Sequence, residues 1–257
     1  LVRNKLTSVQ RIEVASDQFG NQDVVASVLQ RDANAIRMTA EALDRTQMTR
    51  AVGAILRARC IYIVGVRSSA ALANYLNFYF RNIFNDVRLV SSTATSEMFE
   101  QLLRVGKEDV VIGISLPRYS SRTVKLLQYA HDSGATVVTI TDKPEAPGGK
   151  VADLVLCAKS NMVSFVDSLA APLSLINALI VAIGLVIIDA FRVFDVIFMT
   201  TNGGPGIRTT DVLGTYIYKA GFTNMRLGYA SALSLVNILI VIVISAIYLF
   251  FSRRAEN

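Results

Sequence analysis

DVVIGISLPRYSSRTVKLL, residues 109–127, changes character twice in a short distance. Val110, Val111, Ile112 and Ile114 form an apolar run that stops at Ser115. A polar turn follows through Pro117, Arg118, Tyr119, Ser120 and Ser121, and then Val124, Leu126 and Leu127 return at helical spacing. The pattern predicts a buried strand, a tight loop and the start of a helix. The loop offers the hydroxyls of Ser115, Ser120, Ser121 and Thr123, the Arg118 guanidinium, and backbone N–H groups at the positive end of a helix dipole. Such a collection suits an anion such as a phosphate. The same residue types also suit an ordinary capped turn.

The grammar repeats along the chain. Residues 60–66, CIYIVGV, read as a strand broken at Gly65, and Arg67, Ser68 and Ser69 lead into a helix ending near Ile83. Residues 87–90 form a second strand before Ser91 and Ser92, and Met98, Leu102 and Leu103 mark the next helix. Residues 136–141 and 154–158 are the fourth and fifth strands. Short apolar strands alternating with helices predict one parallel sheet covered on both faces, an α/β fold built as a three-layer α/β/α sandwich. In such sheets ligands sit beyond the carboxyl ends of the strands. That rule places Ser68, Ser69, Ser91, Ser92, Ser115 and Ser120 along one rim, where Gly65 allows a ligand to approach the backbone closely.

Composition bounds the function. The chain has 257 residues, 52% of them hydrophobic, and a net charge of +6. Its mean hydropathy of +0.43 is high for a soluble domain and directs attention to membrane segments. The basic residues are scattered rather than massed, and helices predicted at 23–43 and 46–58 carry no helix-turn-helix signature, so no direct nucleic-acid partner is expected. The two cysteines, Cys60 and Cys157, lie beside strand-like runs and read as buried free thiols of a reducing compartment rather than a disulfide or metal site. No metal and no cofactor is expected. The chain starts with Leu1 and shows no signal peptide, as a piece of a longer protein would.

Four stretches carry a resemblance: VGVRSSAALA (64–73), residues 109–142, KVADLVL (150–156) and SFVDSLAAPLSLINAL (164–179). Over about residues 20–184 the chain resembles the sugar isomerase (SIS) domain, in the form found in RpiR-type bacterial transcription regulators. The resemblance implies a flavodoxin-like sandwich that binds a phosphosugar effector, usually as a homodimer or larger assembly. The family's phosphate loop reads Ser-x-Ser-Gly-x-Thr; here Ser115 and Ser120 hold its ends, while Pro117 and Arg118 replace serine and glycine. Its Gly-x-Gly-x-Ser turn is matched by Gly65 and Ser69, with Arg67 in place of the second glycine. The regulators' DNA-binding part would precede residue 20.

After about Gly184 the text changes. Residues 169–188 are almost continuously apolar, Gly203-Gly204-Pro205-Gly206 signals a loop, and residues 230–251 are uncharged and long enough to cross a bilayer. Arg253 and Arg254 follow at once, predicting a cytoplasmic C-terminus. FRVFDVIFMTTNGGPG (191–206) and FTNMRLGYASALS (222–234) resemble the end of permease subunits of sugar ABC importers. That resemblance spans about 187–257. The Glu-Ala-Ala coupling loop of that family does not occur in it.

The expected organisation is therefore a helical segment at 1–58, a SIS domain at 59–184 and a permease-like hydrophobic hairpin at 185–257. The sheet is expected to keep the part before about Ala182, and a first span over 183–199 is made a poor one by Asp189, Arg192 and Asp195, so the hairpin is expected to insert badly or to pack as helices against the SIS domain. The leading function is binding of a phosphosugar by a cytoplasmic effector domain tethered to the cell membrane by a non-transporting tail. The alternatives are a membrane component of a carbohydrate importer and a sugar-phosphate isomerase. Isomerisation needs a base. Glu97 is the carboxylate to test, whereas His131, beside Asp132, Ser133 and Gly134, reads as a solvated histidine at a helix end. The chain is expected not to be an enzyme.

Overall fold

In the computed structural model, which describes residues 23–92, 94–160, 167–192 and 213–256, strands β1 (Ile61–Gly65), β2 (Val87–Val90), β3 (Val110–Ile114), β4 (Thr136–Thr141) and β5 (Leu154–Cys157) pair in parallel. Their order is β2-β1-β3-β4-β5. β1 and β3 are buried along their whole length, as unbroken apolar runs require, whereas the edge strands β2 and β5 are only partly buried. Cys60 is buried, but Cys157, expected to be buried, is half-exposed because it ends an edge strand. Burial pushes the Cys60 thiol up to about 11, with the Asp86 carboxylate adding to the shift, which keeps it protonated.

The helices are α1 (Val24–Ala42), α2 (Arg45–Arg57), α3 (Ser69–Ile83), α4 (Thr95–Gln101), α5 (Ser121–Asp132) and α6 (Ala170–Arg192), of which α2, α3 and α5 pack directly on the strands. Asp23 and Asp44 start α1 and α2 by accepting hydrogen bonds from free N–H groups of the first turn. α5 lies directly on β3. A Cβ added at Gly113 would stand 2.5 Å from Leu127 Cδ2. At the opposite end of the strands from the serine-bearing loops, Arg59 donates to both carboxylate oxygens of buried Asp109, at 3.0 and 2.8 Å. The Gly106 N–H donates to Asp109 Oδ2 at 2.9 Å. This clasp joins the starts of β1 and β3.

The chain forms two compact units, Leu1–Ile180 and Val181–Asn257. The expected division near Ala182 falls close to the boundary between the two units, but no helix end marks it: α6 runs unbroken from Ala170 to Arg192. Pro172 lies in its first turn, where no intrahelical N–H is needed, and a single Gly184 costs only about 1 kcal/mol against continuing an apolar helix. The early part of α6 belongs to the core: Leu175, Ile176 and Leu179 are buried, and Tyr75 donates to Asn177 Oδ1 at 2.5 Å. The Gly203–Gly206 loop and residues 193–199 of the expected span lie outside the described residues.

In the second unit, α7 (Leu213–Tyr218) runs through a π-helical turn, Lys219–Thr223, into α8 (Leu227–Glu256). Gly221 packs against Ala230, and the rings of Tyr216 and Tyr229 meet edge to face at 6.4 Å. α8 extends beyond the predicted 230–251 at both ends. Ala170–Ala190 and Leu227–Ala246 are both long and apolar enough to cross a membrane, but only 6% of the second is buried. Leu235, Val236, Ile238, Leu239, Ile242 and Val243 are all exposed, a broad apolar face along one half of the helix.

Candidate ligand site at the strand switch point

The first connection of the sheet carries the chain from β1 outward to β2, and the later strands extend the other way from β3. The loops leaving adjacent β1 and β3 therefore part company and leave a crevice at their carboxyl ends. A small cavity of about 20 Å³ lies there, between Arg67, Ser68 and Ser69 of one loop and Ser115, Arg118, Ser120 and Thr123 of the other.

Ser115 continues the sheet ladder through its N–H to Ile140 O at 3.0 Å, which fixes its side chain at the crevice. Its hydroxyl is buried and makes no hydrogen bond with any described residue, and the same is true of Thr123 and, on the neighbouring strand, Thr139. A buried hydroxyl without a partner carries a desolvation cost of about 1–3 kcal/mol. Ser68 and Ser120 stand at the starts of α3 and α5, yet neither side chain caps its helix. The ordinary capped turn, open as an alternative from sequence, is not what these serines form.

The two departures from the family's glycine pattern have one explanation. Arg67 has φ of 56° and Arg118 φ of 69°, the left-handed backbone for which glycine is the usual residue. The loops keep the glycine path and carry a guanidinium on it, at a cost of roughly 1–2 kcal/mol each. Tyr119 holds the second loop in place by donating to Asp142 Oδ1 at 2.8 Å, beyond the end of β4. Burial first, and then this bond to a carboxylate, raise the Tyr119 phenol well above its ordinary value, so it stays a donor. Arg118 forms an ion pair with Asp167, and Ser68 Oγ stands 3.5 Å from the same carboxylate oxygen.

Ser91 and Ser92 do not line this cavity. Their loop serves α4: Gln101 exchanges two hydrogen bonds with the Ser91 backbone, and Ser92 Oγ both donates to Glu97 and accepts from Ala94 N–H. Glu97 is thereby engaged on the edge side of the sheet. His131 ends α5 beside Asp153, 3.6 Å away, at the amino end of the strands. A wider hollow of about 700 Å³ lies there, flanked by Arg50, Arg57 and His131. Sequence reasoning missed Thr139, Asp142 and Asp167. None has a local signal, because Arg118 and Asp167 are 49 residues apart.

The SIS domain matches residues 54–182 of the chain. The chain belongs to the SIS family. The SIS domain of an RpiR transcription factor from Sphaerobacter thermophilus superposes with a TM-score of 0.61 at 26% identity, covering 64% of this chain and 91% of that one. The NanR protein of Vibrio vulnificus, solved with ManNAc-6P, shares the fold with a TM-score of 0.56 at 20% identity over 70% of this chain and 69% of its own. A probable ABC transporter permease of Brucella suis is 42% identical over 77 residues, 30% of this chain and 26% of the permease. The chain thus joins SIS and permease-like sequence, and spans about half the length of the curated HTH-type regulators it matches and about a quarter of the Brucella suis permease.

Proposed function

We propose that the SIS domain binds a phosphorylated sugar without transforming it, as the effector-sensing part of an RpiR-type regulator. The observation that carries this reading is the pair of buried, unpartnered hydroxyls of Ser115 and Thr123 between two arginine-bearing loops. A phosphate supplies the acceptors these donors lack, and hydrogen bonds to a charged group are worth roughly 1.5–3 kcal/mol each. Gly65, Ser69 and Ser120 complete the anion cradle in this reading. Ser91 and Ser92 are left to the helix they start. Catalysis is disfavoured because His131 and Glu97, the bases weighed from sequence, do not line the cavity. The ManNAc-6P of NanR supports the ligand class, though not the sugar.

Titration calorimetry of the full chain in mild detergent, with ManNAc-6P and inorganic phosphate, tests the reading. Ser115→Ala should weaken phosphate-dependent binding about tenfold or more while leaving the melting temperature nearly unchanged. Equal affinity in the variant would remove Ser115 from the site.

The permease-like tail is read as a tether to the cell membrane that leaves the SIS domain in the cytoplasm. Its support is α8, whose Leu227–Ala246 stretch is apolar, only 6% buried and carries a broad exposed apolar face. The full chain should stay in the membrane fraction after an alkaline carbonate wash, and release into the supernatant would contradict the tether. Homodimerisation is proposed through α1, where Val24, Val25, Val28 and Leu29 are exposed together. Sedimentation in detergent at micromolar concentration should give two chains per particle; a monomer would count against it.

A further inference from the structure

Asp167 occupies an odd position for a site that awaits an anion. Its side chain is only 9% exposed, and one carboxylate oxygen is held by Arg118, close to Ser68. The other oxygen is buried and makes no hydrogen bond with any described residue. The carboxylate therefore takes the donors that a phosphate would use, and is itself only half satisfied. The cavity beside it, about 20 Å³, holds roughly one water molecule and no phosphate.

We propose that Asp167 is the resident anion of this site and sets which ligands it accepts. A phosphomonoester dianion displaces the carboxylate from Arg118, and a monoanion does not. This rests on the phosphate reading above. The argument is one of charge and valence. A phosphate carries about −1.5 to −2 near neutral pH and three acceptor oxygens. It can engage Arg118 and also reach Ser115 and Thr123, whose hydroxyls have no partner while Asp167 holds the guanidinium. Two anions drawn to the one Arg118 guanidinium at close range would repel, so the carboxylate leaves as the phosphate enters. An acetate-like monoanion offers no more than Asp167 already supplies.

The residue after Asp167 carries the exchange outward. Ser168 Oγ donates to Asp32 Oδ1 of α1 at 2.6 Å and accepts from Ala170 N–H at the start of α6, at 3.3 Å. Withdrawal of Asp167 therefore disturbs the contact that ties α1 to the beginning of α6. Thr39 Oγ1, which accepts from Lys159 N–H at 2.9 Å, remains as a second tie. Ligand binding would then be felt at one end of α1.

The test uses the full chain in mild detergent, titrated with inorganic phosphate and with acetate at constant ionic strength, as wild type and Asp167→Asn. An internal competitor lowers apparent affinity by the fraction of sites it blocks, so the variant should bind phosphate about tenfold more tightly and gain measurable acetate binding. Equal or weaker phosphate binding in the variant overturns the proposal while leaving the phosphate site intact, because the carboxylate would then be positioning Arg118. Absence of phosphate binding in both proteins overturns the phosphate reading and this inference with it. If the variant does not fold, hydrogen exchange on the wild type decides. Phosphate should speed exchange at the Ala170 amide, and unchanged or slower exchange there refutes displacement.

Discussion

Leu127→Ala is expected to destabilise the protein by about 3 kcal/mol, in the range for emptying a fully buried leucine site. Leu127 is completely buried and fills the space above β3 that Gly113 leaves by having no side chain. Its Cδ1 atom also lies 3.6 Å from where a Cβ on Gly148 would stand, so it supports the loop over Ser115 as well. The leucine cannot simply turn away, because both sides of its pocket are occupied. Gly113→Ala alone should cost about 1–3 kcal/mol by overpacking. The two changes share one volume, so the double variant should lose less than their sum, with a coupling of about 1 kcal/mol or more. Denaturant unfolding of the four proteins measures this. Strict additivity would show that Leu127 and Gly113 do not meet.

Gly65→Ala should cost about 3 kcal/mol and also weaken phosphate binding. An added Cβ would stand 2.7 Å from the Ser69 carbonyl oxygen and 2.8 Å from Ala73 Cβ. The first of these is backbone in the opening turn of α3, so relief requires the helix start to move away from β1. That start carries Ser69 and follows Arg67, and any shift there takes both away from the crevice. Gly106→Ala is the control, since a Cβ at Gly106 meets nothing within 4 Å. A Gly65→Ala protein that melts with the control and binds phosphate normally would contradict the packing described for this turn.

The sheet could be read from sequence because each strand is short, apolar and closed by a polar turn, and parallel strands need covering on both faces. The crevice residues at Ser69, Ser115 and Ser120 came from the same local grammar. Three things did not. That one helix would run on across the division expected near Ala182 was not legible, because helix continuity depends on local hydrogen bonding, and nothing there interrupts it. Ser91 and Ser92 carried the same turn signal as the other serines, yet their loop follows the edge strand and serves α4. Asp167 was invisible because its partner lies on a distant loop, and only the fold brings the two charges together.

Arg67 and Arg118 have a consequence for how relatives of this protein are to be found. Both sit at places where a letter-based motif demands glycine, and both hold the backbone torsion that the glycine would have held. A search that spells the loop as glycine passes over this chain. A search that asks for a left-handed residue two positions after Gly65 and three after Ser115 finds it. It would also gather other chains in which an arginine has taken the glycine's place and brought a positive charge to the same turn.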